Sequence, residues 1–110
     1  MKLNQEELYA ALGLAMEKIE AAGGSRELTD AVVIVGDIRQ SIGNRWNRAD
    51  EYAAQRVRDQ IKMPPSPIEE ARQLMQPVVK YVQAVKHGVP IGVVAQAVAV
   101  QKLLDEAAAG

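Results

Sequence analysis

The chain has 110 residues, 48% of them hydrophobic and 25% charged, which is the make-up of one globular helical domain spanning residues 1–110. It contains no cysteine, which excludes disulfides and thiolate metal sites. The net charge is −1, but residues 1–38 carry −4 and residues 39–62 carry +3, an asymmetry that points to an anionic contact or to head-to-tail self-complementarity.

The N-terminal "MKLNQEELYA" carries acidic residues where a secretion signal needs an apolar core. The most apolar stretch, "GVPIGVVAQAVAV", is too short to span a bilayer. A soluble, cytoplasmic protein with no membrane contact is the expectation. A domain this small gains little margin from burial alone, so oligomerisation would help it.

The first helix opens at Asn4, with Glu7 at the capping-box position. Its apolar face runs Leu8, Leu12, Ala15, Ile19 and Ala22, and Gly23-Gly24 stops it. Ser25 caps the second helix. "VVIVG" at 32–36 resembles a strand entering a phosphate turn. However, no second glycine comes before Gly43, no Gly-Lys-Ser/Thr exists, and companion strands are too few for a parallel sheet. A stripe of Leu28, Val32, Val35, Ile38, Ile42, Trp46, Ala53, Val57 and Ile61 instead predicts one long central helix, or two nearly collinear ones, over 26–63. "GNRWN" at 43–47 is its natural break.

"PPSP" at 64–67 is a hard stop. Ser66-Pro67-Ile68-Glu69 then starts a helix over 67–87. Its face of Ile68, Ala71, Met75, Val78, Val82 and Val85 has heptad spacing, and Pro77 should kink it. A last helix over 90–108 has only Gln96 as a strongly polar residue between Ile91 and Val100. It should therefore be buried on most sides, which in so small a chain suggests a subunit interface. The fold expected is all-α, four to five helices ending in a helical hairpin, as an oligomeric bundle.

Three constellations bear on function. Arg45, Arg48, Tyr52 and Arg56 share one face of a helix, and arginine with an interleaved aromatic suits phosphate or nucleic-acid contacts. The bland alternative is a solvated face with local ion pairs. Met75, Val78 and Val82 with Ile91, Val94 and Val98 form a candidate interface for a homo-oligomer, a dimer by preference. The C-terminal helix–turn–helix lacks polar groups to read base edges and reads as a packed hairpin.

His87 is alone, the paired carboxylates are sequence neighbours that do not face each other, and no nucleophile–base pair can be argued. No enzyme, metal or cofactor is implied. The primary reading is a non-enzymatic helical assembly or adaptor protein acting through protein–protein contacts, of a kind that suits a bacterial or phage accessory protein. The alternative is an oligomeric binder of an anionic ligand, nucleic acid or nucleotide, through the basic face.

Overall fold

A computed structural model describes residues 3–23, 25–42, 51–61, 66–84, 89 and 91–109. They form five helices and no strand: α1 (Gln5–Ala22), α2 (Arg26–Ile42), α3 (Glu51–Gln60), α4 (Pro67–Ala84) and α5 (Ile91–Ala109). The strand reading of "VVIVG" is thereby excluded, since the stretch is the middle of α2.

Local chemistry sets the helix starts. The Glu7 backbone N–H donates to Asn4 Oδ1 at 2.8 Å, and the Asn4 N–H donates to Glu7 Oε1 at 3.1 Å, closing the capping box of α1. The Leu28 N–H donates to Ser25 Oγ at 3.2 Å at the head of α2. The Glu69 N–H donates to Ser66 Oγ at 3.3 Å at the head of α4. Gly23 ends α1 at φ +57°, a conformation open to glycine at no steric cost.

Four of the helices form a ring in which neighbours run antiparallel. Gln5 Nε2 donates to Tyr81 Oη at 3.0 Å, and Lys18 meets Glu70 at 3.0 Å, so α1 and α4 are antiparallel. Arg72 Nε donates to Asp105 Oδ1 at 2.9 Å, which ties the start of α4 to the end of α5 and closes the C-terminal hairpin. One end of the bundle gathers the end of α1, the starts of α2 and α4 and the end of α5 around a shallow hollow of about 380 Å³, with Gly23, Leu28, Ile68 and Ala107 in its wall. Round the ring the order is α1, α2, α5, α4, and among the described residues α3 lies against α1 alone.

This order explains why a fifth helix exists. Helices α2 and α4 sit diagonally and point the same way, so the chain must return along the bundle between them. An α-helix of 18 residues is about 27 Å long. Between the end of α2 and the start of α4, α3 packs against α1.

The long central helix expected over 26–63 is described as two pieces, α2 and α3. Helix α1 is the element with neighbours on three sides, α2, α3 and α4. Its buried set, Leu8, Ala10, Ala11, Leu12, Leu14, Ala15 and Ile19, extends well beyond the single stripe predicted for it. Three of those residues are alanines, whose short side chains let neighbouring helices come close. Whether α2 and α3 are continuous is decided at residues 43–50, outside the described residues. The predicted end of the fourth helix near Lys86 and His87 also lies outside them.

Much of the predicted stripes of α2, α3 and α4, together with one face of α5, points into one core; Val32, Ile61 and Ile68 are only partly buried, and the side chains of Ile42, Trp46 and Val85 lie outside the described set. Leu28, Val35 and Ile38 of α2, Ala53 and Val57 of α3, Ala71, Met75, Val78 and Val82 of α4, and Val93, Ala97, Val100 and Leu104 of α5 are all buried in it. Helix α4 runs through Pro77, whose ring is buried. The Cα radius of gyration, 12.7 Å, is close to the roughly 13 Å of a compact chain of this length.

Candidate functional site

Arg56 of the basic face does not stand free. Its Nε lies 3.5 Å from Glu7 Oε2, and its Nη2 lies 3.9 Å from Glu6 Oε2. Glu7 thus uses one oxygen on the α1 cap and the other on Arg56 of α3. Both arms of the charge asymmetry meet here, the acidic N-terminal segment against the basic middle one, within a single chain. Tyr52 is 76% exposed and Arg58 is exposed on the same short helix. Arg45 and Arg48 lie outside the described residues.

The candidate interface divides in two. Met75, Val78 and Val82 are fully buried in the chain's own core, so their heptad seam faces α1 and α5 and cannot be reached by a folded second copy. On α5 the buried face is Val93, Ala97, Val100 and Leu104, at steps of four, three and four. Val94 is partly buried against that core, and the side chain of Ile91 is outside the described set. Val98 is 42% exposed, and Gly92 and Ala95 beside it are not buried in the core. Within one chain α5 buries one face. The opposite face carries no charge from Ile91 to Gln101.

Several of the paired carboxylates have structural partners. Arg72 joins Glu69 and Asp105, each at 2.9 Å, and Lys18 joins Glu70. Among the described residues no three acidic or histidine side chains cluster as a metal site would need. No helix among the described residues is long and apolar enough to cross a membrane.

No protein-family model, no curated protein and no solved structure matches the chain. The functional reading therefore rests on these surfaces alone.

One constellation escaped the sequence reading. The Arg39 guanidinium carbon of α2 lies 4.4 Å from the centre of the Tyr9 ring on α1, a cation–π contact. A Cβ at Gly13, one turn beyond Tyr9, would stand 3.3 Å from Arg39 Nη2. Glycine in mid-helix costs about 1 kcal/mol relative to alanine. Here it makes room for an arginine to lie against the α1 backbone. The sequence signal was that glycine, set without evident cause among strong helix formers.

Proposed function

We propose that the protein is a non-enzymatic helical assembly module that acts through protein–protein contact, and that a second copy of itself docks on the outward face of α5. The observation that carries this reading is Val98, 42% exposed on a helix stretch with no charged side chain over about three turns. A solvated helix face normally carries charge, whereas an interface core is depleted of it. Gly92 and Ala95 add little bulk, so a second helix can approach closely there. Over residues 91–101 two copies of this face meet with no charge opposed, and the exposed Lys102 and Asp105 of α5 carry opposite signs at its edge.

The test is light scattering on the unmutated protein and on Val98→Glu. Val98 is outside the core, so the variant should keep its helicity. The expected result is a dimer that becomes a folded monomer in Val98→Glu. A monomer at high concentration before mutation contradicts the reading.

A second reading, binding of nucleic acid or a nucleotide through Arg45, Arg48, Tyr52 and Arg56, has the exposure of Tyr52 in its favour, because an aromatic ring in solvent is available for stacking. Against it stands the pairing of Arg56 with Glu6 and Glu7. Affinity for a polyanion that falls steeply with salt, and that disappears on charge reversal at Arg45 and Arg48 with helicity kept, would support it. No binding at low salt would end it.

A further inference from the structure

Two arginines with described side chains are half-buried, and they are treated differently. Arg72 holds Glu69 and Asp105. Arg39 has no carboxylate within ion-pair reach among the described residues. Its Nε is buried with no hydrogen-bond partner. Packing alone holds the guanidinium, with the Tyr9 ring on one side and the α1 backbone at Gly13 on another. Part of the residue remains open to solvent.

A positive charge held in place, partly desolvated and not neutralised, is what an anion site needs. The ring and the helix backbone restrict the guanidinium's rotamers before any ligand arrives, which lowers the ordering cost of binding. On α1, Glu6 and Glu7 are engaged with Arg56, and no described carboxylate is within ion-pair reach of Arg39. The guanidinium presents donors in a planar fork, which matches two oxygens of one carboxylate or phosphate group.

We propose that Arg39, seated on Tyr9 and Gly13, is a binding site for a small oxyanion, a carboxylate or a phosphate group. The site lies between α1 and α2, apart from the outward face of α5. It rests on neither functional reading above, so its test and theirs fail independently.

The experiment is NMR titration of the Arg39 Nε–Hε resonance with inorganic phosphate and, separately, with acetate, at constant ionic strength in chloride. The expected result is a shift of that resonance and of the Tyr9 ring signals that saturates in about the millimolar range. The melting temperature should rise by roughly 5 °C at about ten times the dissociation constant. Arg39→Lys keeps the charge but loses the fork, and should bind roughly tenfold more weakly, as expected from losing one charge-assisted hydrogen bond.

Arg39→Met should be at least as stable as the parent without ligand, because it removes a buried unpaired donor, and should show no response to either anion. Saturation with phosphate alone, with acetate alone or with both upholds the site and identifies the group it takes. A linear response, or one that persists in Arg39→Met, overturns it and leaves Arg39 as a packing element. The parent titration decides the matter even if a variant fails to fold.

Discussion

The glycines show how one missing methyl group changes meaning with its surroundings. At Gly36, a Cβ would meet only the Met16 Cε, at an ordinary 3.6 Å. Gly36→Ala should therefore stabilise the protein by about 0.5–1 kcal/mol through helix propensity and a less flexible unfolded chain. At Gly13 the same change presses on Arg39 at 3.3 Å, and the guanidinium has to give way. Gly13→Ala should gain less than Gly36→Ala or lose stability outright; urea melts of the two variants check the order. Asn4→Ala removes one half of the α1 capping box and should cost about 1 kcal/mol in the same measurement. Arg56→Ala, by contrast, should change stability by no more than about 0.5 kcal/mol, because its side chain is half exposed and its contacts with Glu6 and Glu7 are longer than ideal.

Among the elements, α1 carries the most and α3 the least. Leu12 is fully buried in the helix that touches three others, and Leu12→Ala should cost about 2–5 kcal/mol. Helix α3 is ten residues long and, among the described residues, touches α1 alone and buries only Ala53 and Val57. Its amides should exchange with solvent far faster than those of α1 in hydrogen-exchange measurements. Equal protection of the two helices would show that α3 is part of the same cooperative unit.

The elements also mark what sequence can show. Asn4 with Glu7, Ser25 and Ser66 with Pro67 were legible as helix starts because a cap is made within three residues. The stripe of Met75, Val78 and Val82 was legible as an apolar face, but periodicity gives a face and not its occupant. Within the chain that face packs into the core that α4 shares with α1 and α5. The role of α1 as centre was hidden for a related reason. Burial on several sides depends on which helices come to lie there, and alanines such as Ala10 and Ala11 read as neutral in sequence. Arg39 over Tyr9 is a contact between residues thirty apart in sequence, fixed by how α1 and α2 pack.

For the whole molecule, the charge asymmetry and the apolar surplus were the two features that called for an external partner. The first is met in part inside the chain, where Arg56 of the basic segment faces Glu6 and Glu7 of the acidic one. The second is met largely by the core, since the large hydrophobic side chains left exposed among the described residues are Val33, Tyr52 and Val98. The remaining argument for association is narrower and easier to test: the outward face of α5 over residues 91–101, which carries no charged side chain.

Native mass spectrometry of the protein purified gently from cells tests that claim most directly, because it reports subunit number and bound partners together. The expected result is an assembly containing at least two copies of the 11.9 kDa chain, reduced to single folded chains by Val98→Glu. A bare single chain from the unmutated protein, at concentrations where dimers form, would contradict the assembly reading.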